Sequence, residues 1–161
     1  MELQHELGLK APFKDIRHEA VLNVVRTANL LSAKAAQLFR RFDLTEAQFN
    51  VLFALKFSGG DITQAELGKR LVVTRASITS VLDKLEGKDL VRRIDVPGNR
   101  RIHHVELTER GTELINRVEP EYRDEVHSVL DDFNEDECAV LIDYMEKIRS
   151  RVQDMLAPST K

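Results

Sequence analysis

The chain has 161 residues, 42% of them hydrophobic, and a formal net charge of −3, values that fit a folded globular protein and argue against disorder. It has no apolar run near the roughly 20 residues needed to cross a bilayer, and its start lacks the basic and apolar regions of a signal peptide. A single cysteine, Cys138, excludes an intrachain disulfide framework and fits a reducing compartment. We therefore expect a cytoplasmic protein with no membrane partner.

The N-terminal part of the chain predicts an arm followed by one long helix. Residues 1–12 are expected to be irregular because Gly8 and Pro12 interrupt them. From about Lys14 to Phe42 there is no glycine or proline, and apolar residues recur every three or four positions. Such a helix is too long to bury its whole apolar stripe against a small domain.

Two capping boxes predict the next two helices. Thr45 with Gln48, and Thr63 with Glu66, carry the hydroxyl and the long polar side chain that satisfy the first backbone N–H groups of a helix. The first of these helices is expected to end at 58–60, and the second at Leu71. Between them, residues 61–62 read as a short strand, and residues 72–73 as a tight connection.

A third helix and a hairpin complete the central segment. Thr74 is expected to start the helix, Ile78, Leu82 and Leu85 to form its inner face, and Gly87 to stop it. Two strands, 90–94 and 102–107, follow, joined by the turn residues Pro97, Gly98 and Asn99. Three short helices followed by a basic hairpin predict a winged helix-turn-helix, a unit that places a helix in the DNA major groove and a wing beside it.

Two further helices are predicted after the hairpin. Thr108 caps one that reaches Phe133 and should be kinked by Pro120, and Asn134 with Glu137 starts the last one. Pro158 marks the tail. The fold class is therefore mainly α with a small β-hairpin wing (α+β). Its segments are an N-terminal dimerisation helix at 14–43, a DNA-binding domain at 44–107 and C-terminal dimerisation helices at 108–157. A homodimer buries the three long stripes best; the alternative is a monomeric helical bundle.

Charge is unevenly distributed along the chain. Residues 69–104 contain nine Lys/Arg and four Asp/Glu, a balance of +5, whereas residues 112–161 contain six Lys/Arg and thirteen Asp/Glu, a balance of −7. A basic segment inside an acidic chain indicates a localised phosphate-binding face.

These segments resemble the MarR family of bacterial transcription regulators (multiple antibiotic resistance regulators), from about Asp15 to Leu156. The specific matches are Thr63-Gln64-Ala65-Glu66-Leu67-Gly68, Leu82-Asp83-Lys84-Leu85-Glu86, Leu90-Val91-Arg92-Arg93 and Leu107-Thr108-Glu109-Arg110-Gly111. The resemblance implies a repressor whose DNA binding responds to a small anionic, often aromatic, molecule held between the dimer region and the winged domain. The family wing commonly carries Asp-x-Arg, but here Asn99 takes the place of the aspartate, so Arg101 is expected to be held less rigidly unless Asp95 supplies the carboxylate across the hairpin.

The residues expected to contact DNA lie on the third helix, the helix before it and the wing. They are Gln64, Thr74, Arg75, Ser77, Thr79, Ser80, Lys84, Asn99, Arg100 and Arg101. Arg75 is the candidate for a base contact, Lys84 and Gln64 for phosphates, and Arg100 with Arg101 for the minor groove. Because Arg92 and Arg93 alternate along a strand, only one of them is expected to face DNA and the other to pair with an acid.

Other kinds of site are less well supported. His103 and His104 point to opposite faces of a strand, so they cannot share a metal, and we predict neither metal nor cofactor. No catalytic pattern is present, so an enzyme is not expected. Two alternatives to a sequence-specific regulator remain open. One is a winged domain that binds proteins rather than bases. The other is a thiol-based redox sensor that uses Cys138.

Overall fold

A computed structural model describes residues 3–59, 62–71, 75–96 and 99–157, without the side chains of residues 75, 76, 96 and 99–102. In chain order the elements are α1 (Leu3–Glu6), α2 (Ile16–Arg40), α3 (Glu46–Lys56), β1 (Ile62–Thr63), α4 (Gln64–Arg70), α5 (Arg75–Gly87), β2 (Val91–Val96), β3 (Asn99–Leu107), α6 (Glu109–Val129) and α7 (Glu135–Leu156). The predicted class, mainly helical with a small antiparallel sheet, is confirmed. None of the helices in these ranges is both long and apolar enough to span a membrane.

The predicted helix starts are confirmed where the structure describes them. Capping boxes are formed by Thr45 with Gln48, Thr63 with Glu66, and Asn134 with Glu137. Each threonine or asparagine side chain accepts from the backbone N–H three residues later, and the Gln or Glu side chain accepts from the capping residue's own N–H. Thr74, the predicted start of α5, lies outside the described residues.

The three strands form one antiparallel sheet in the order β1-β3-β2. Ile62 of β1 pairs with Val105, and β2 pairs with β3 from Val91 opposite Leu107 to Val96 opposite Asn99, with a register shift between Asp95 and Val96. β3 therefore begins three residues before the predicted Ile102, and Asn99 belongs to the strand rather than to the turn. Pro97 and Gly98 lie outside the described residues, as do Asp61 and residues 72–73.

One buried cluster joins the end of α2 to the helices and sheet that follow it. Phe39 stacks on Phe49 of α3 with ring centroids 4.2 Å apart, and Tyr122 of α6 contacts both rings. The rest of the buried set comes from every element between α3 and α6 and includes Leu52, Ile62, Leu67, Ile78, Leu82, Leu85, Val105, Ile115 and Val118. The predicted DNA-binding segment is thus built on a core to which α2 and α6 both contribute.

The chain forms two compact units, Met1–Tyr122 and Arg123–Lys161. In the second, none of the residues of α7 is buried. In the first, α2 also exposes apolar side chains, among them Val21 and Val25. As predicted, both helices carry apolar side chains that the core of a single chain does not cover. The boundaries 14–43, 44–107 and 108–157 remain predictions.

Three local expectations differ from the structure. Residues 1–12 are not wholly irregular, because Leu3–Glu6 is helical and Leu3 is buried. Gly87 is the last residue of α5, but the residue after the helix that adopts the left-handed backbone conformation is Asp89, with φ of 57°. α6 continues through Pro120 and ends at Val129, so Phe133 follows the helix. The kink at Pro120 stays a prediction.

The start of α6 is hydrogen-bonded to the turn that follows α5. The Thr108 hydroxyl donates to the carbonyl oxygen of Asp89 at 2.7 Å and accepts from the Gly111 N–H at 3.0 Å. The Thr108 N–H donates to the Leu90 carbonyl. A Cβ atom on Gly111 would lie 1.9 Å from that same Leu90 oxygen, so only glycine permits this approach.

Gly111→Ala should therefore destabilise the protein by about 3 kcal/mol, because a backbone carbonyl must move to admit the methyl group. The expected fall in Tm is about 10 °C, measured by thermal denaturation. Gly87→Ala is the matched control, since a Cβ there meets no atom within 4 Å. It should leave Tm unchanged or slightly raised. Equal effects of the two substitutions contradict the assigned role of Gly111.

Candidate nucleic-acid interface

α5 has the buried and exposed faces that the sequence predicts. Ile78, Leu82 and Leu85 are at most 2% exposed and hold the helix on the core. On the other side, Ser77, Ser80 and Lys84 are exposed. Small hydroxyl side chains on the outer face leave the helix narrow enough to enter a groove, with Lys84 one turn after Ser80. The predicted outer face is confirmed at these three positions.

α4 begins with a firmly held first turn. Glu66 accepts hydrogen bonds from the backbone N–H of Thr63 at 2.9 Å and from its hydroxyl at 2.7 Å. These bonds, the backbone one first, hold the pKa of Glu66 below its ordinary value. The stabilisation this brings is present at neutral pH and is lost as the pH falls through the lowered pKa.

Gln64, a predicted phosphate ligand, is engaged within the protein. Its Nε2 donates to Oγ1 of Thr79 at 2.7 Å, and its Oε1 accepts from Nε of Arg93 at 3.3 Å. Thr79 is accordingly half-buried and faces α4 rather than open solvent. A phosphate contact from Gln64 would have to use the second N–H of its amide. That contact stays a prediction.

Both arginines of β2 pair with carboxylates, as was expected for one of them, and the expectation that only one can face DNA stays a prediction. Arg92 forms an ion pair with Glu106 on β3, and Arg93 forms ion pairs with Asp83 and Glu86 on α5. The alternation along the strand is as predicted, since the two side chains use partners on different elements. The particular acids could not be named from the sequence, because they lie across the sheet and on α5.

The hairpin tip carries the remaining predicted contacts. Asn99, Arg100 and Arg101 are the first three residues of β3, at the end of the hairpin away from Leu107. Their side chains, like that of Arg75 at the first position of α5, lie outside the described part of the structure. Their contacts with DNA stay predictions.

Asp95 has a partner that the sequence analysis did not identify. Its Oδ1 lies 2.8 Å from Nδ1 of His103, the residue opposite it in the hairpin. Whether Asp95 also holds Arg101 stays a prediction, because the Arg101 side chain lies outside the described residues. A cross-strand partner is found from sequence only when the register is known, and the shift after Asp95 is what changes the pairing near the tip.

Two other kinds of site, a metal centre and a redox-active thiol, find little support in the described residues. Across the described ranges, no group of three or more His, Cys, Asp or Glu residues is arranged to hold a metal ion. Cys138 is half-buried near the start of α7, four residues after the capping Asn134. Cys138 alone gives little support to a thiol-sensing role, because the sequence has no second cysteine with which it could form a disulfide inside the chain.

Comparison with known proteins identifies the family. Residues 42–102, which include α3, α4, α5 and β2, match the model of the MarR family. The chain is 30% identical over 129 residues to the HTH-type transcriptional regulator PecS of Dickeya dadantii, and the match covers 78% of each protein. The chain belongs to the MarR family. It is a DNA-binding transcription regulator, as predicted, and members of this family are regulators rather than enzymes.

Solved structures agree with this assignment. The crystal structure of AbsC, a MarR family regulator from Streptomyces coelicolor, superposes with a TM-score of 0.81 at 20% identity, covering 90% of this chain and 99% of AbsC. A mutant MarR from E. coli complexed with operator DNA gives a TM-score of 0.68 at 27% identity, covering 84% of this chain and 99% of that one. The winged helix-turn-helix fold is therefore confirmed.

Proposed function

We propose that this MarR family regulator is a homodimeric, effector-responsive repressor that binds an inverted-repeat operator in the cytoplasm. The observation that carries the proposal is the exposed, hydroxyl-lined face of α5 beside a hairpin whose tip bears two arginines. In this proposal α5 reads the major groove, with Arg75 on a base and Lys84 on a phosphate, and Arg100 with Arg101 enter the minor groove. A mutant E. coli MarR of the same fold is complexed with operator DNA, which supports duplex DNA as the partner.

The test of DNA reading removes the proposed contacts at the helix and at the wing. Arg75→Ala should reduce affinity for the operator about tenfold or more and weaken discrimination among operator sequences, because a base contact is lost. Arg100→Ala with Arg101→Ala should reduce affinity and lower the slope of log K against log salt by about 2, because two cations leave the duplex. Mobility shifts on the DNA upstream of the protein's own gene provide the measurement.

The control for these variants is Lys147→Ala, which removes an exposed cation from α7. It should leave both affinity and salt slope unchanged. If the arginine variants remain folded and bind the operator like the parent chain, the alternative function, a winged domain that binds proteins, is favoured instead.

The dimer is proposed from the exposed apolar faces of α2 and α7. On α7, Tyr144, Ile148, Val152 and Met155 are between 41% and 73% exposed and recur at helical spacing. On α2, Ile16 is 76% exposed and Val21 is 56% exposed. We infer that a second copy of the chain covers these stripes. A two-fold assembly places two recognition helices about 34 Å apart, one turn of DNA, and so requires an inverted repeat.

Ile148→Glu should dissociate the dimer, because it places a carboxylate on the apolar stripe of α7. Sedimentation equilibrium is expected to show about half the mass of the parent, with loss of operator binding at nanomolar concentration. Ser150→Glu adds the same charge about 200° around the same helix and should leave the mass unchanged. A parent chain that sediments as a monomer contradicts the dimer directly.

The effector is proposed to occupy a cavity of about 520 Å³ where the end of α2, the start of α3 and the end of α5 meet. Its lining includes three cations, Arg40, Lys84 and Lys88, and one carboxylate, Asp43, which is bonded to Lys88. That balance suits a small organic anion. Because the cavity touches both α2 and α5, a ligand there would favour a spacing of the two α5 helices that no longer fits DNA.

A panel of aromatic and aliphatic carboxylates should contain at least one member that weakens operator binding in mobility shifts, and Arg40→Gln should abolish that response. The uncharged alcohols of the same carbon skeletons should have no effect, since the cationic lining selects the anion. An operator affinity that no carboxylate changes contradicts this part of the proposal.

A further inference from the structure

Arg93 connects three elements of the DNA-binding domain. From β2, its guanidinium reaches Asp83 and Glu86 of α5, with N–O distances of 2.6 and 2.5 Å. Its Nε donates to Oε1 of Gln64 on α4 at 3.3 Å, and its backbone N–H donates to Oε1 of Glu86 at 3.3 Å. The side chain is only 19% exposed, although both carboxylates that it binds are more open to solvent.

Gln64 closes this set of contacts into a ring. It accepts from Arg93 through Oε1 and donates through Nε2 to Thr79, in the middle of α5. α5 is thereby held at two levels, at Thr79 through α4 and one to two turns later at Asp83 and Glu86 through the wing strand. Two attachment points along one helix restrict its rotation about its own axis as well as its distance from β2.

We propose that Arg93 is the positioning residue of the DNA-reading surface. It sets the orientation of α5 relative to the wing, so that helix and hairpin meet one duplex together, and it does so without contacting DNA. This inference deepens the proposed function and rests on it. The same bonds neutralise two carboxylates on the reading helix that would otherwise repel phosphates.

The role suits arginine in particular. Single exposed ion pairs contribute little to stability, but here one planar guanidinium with a fixed fork of donors serves three partners and is itself mostly buried. Lysine keeps the charge but offers a single ammonium on a flexible stem, which cannot hold two carboxylates and an amide in one plane. Charge and positioning can therefore be separated by substitution.

The readout is the specificity ratio, the affinity for the operator divided by the affinity for a random duplex of equal length, measured at fixed salt. Arg93→Lys should reduce this ratio about tenfold or more, because it keeps the charge and loses the geometry. The matched control is Arg92→Lys, the adjacent residue on the same strand, whose side chain pairs with Glu106 on β3 instead. It should keep the ratio within about twofold of the parent.

A second variant keeps Arg93 and removes the charge of its partners. Asp83→Asn with Glu86→Gln leaves Arg93 in place and removes two negative charges from α5. If charge alone mattered, this variant would bind the operator more tightly and just as selectively. Positioning predicts a gain in affinity for random DNA and a fall in the specificity ratio, because α5 is no longer held by the wing.

Footprinting locates the defect. For both Arg93→Lys and the double variant Asp83→Asn with Glu86→Gln, we expect the protection of the minor groove by the wing to weaken while protection of the major groove persists. A merely destabilised domain would lose both protections together, and thermal denaturation identifies any variant that does not fold.

Specificity ratios that stay within about twofold of the parent in both variants overturn the role of Arg93 and leave the proposed function intact. A parent chain that does not distinguish operator from random DNA overturns the proposed function first, and the role of Arg93 with it.

Discussion

The contact between Thr108–Gly111 and the Asp89–Leu90 turn is the constraint on which the DNA-binding surface depends. It fixes in one place the end of α5, the start of β2 and the start of α6, through two hydrogen bonds of the Thr108 hydroxyl and the close approach of Gly111 to the Leu90 carbonyl. The wing leaves this point as β2 and returns to it as β3. Any change there is passed to α5 and to the hairpin together, which gives Thr108 and Gly111 a structural role at the end of the wing.

Some of the basic residues in the central segment form ion pairs within the chain. Of the nine Lys/Arg residues between 69 and 104, Lys88, Arg92 and Arg93 form ion pairs with acids of the same chain. These three connect separate elements of the domain, so their charges are shared with carboxylates of the same chain. Counting charges along a sequence locates the DNA-binding segment well. It does not separate the cations that bind DNA from those that brace the surface, because that difference lies in distant partners.

What the sequence predicts well is local. The capping boxes at Thr45, Thr63 and Asn134 involve residues three apart, so their side chains and backbone partners are determined by the helix start itself. The inner face of α5 follows from helical spacing in the same way. The partners of Arg93 and Asp95 were missed because they depend on how separate elements pack and on the register of the hairpin. Leu3 was missed for a related reason, since a short arm acquires structure only from the surface it covers.

Selective DNA binding has two separate geometric requirements. One is the orientation of α5 relative to the wing within a subunit, and the other is the distance between the α5 helices of two subunits. A single winged domain contacts only a few base pairs, and each such contact contributes modestly, so high selectivity needs two reading helices at a fixed separation. In the role proposed for Arg93, the orientation of α5 relative to the wing is set inside each subunit by contacts among charged side chains. The separation of the two α5 helices is set, in the proposed dimer, by the apolar stripes of α2 and α7. In the proposed function, a ligand in the cavity at the junction of α2 and α5 would change the separation of the two α5 helices, and DNA would be released without unfolding of the domain that binds it.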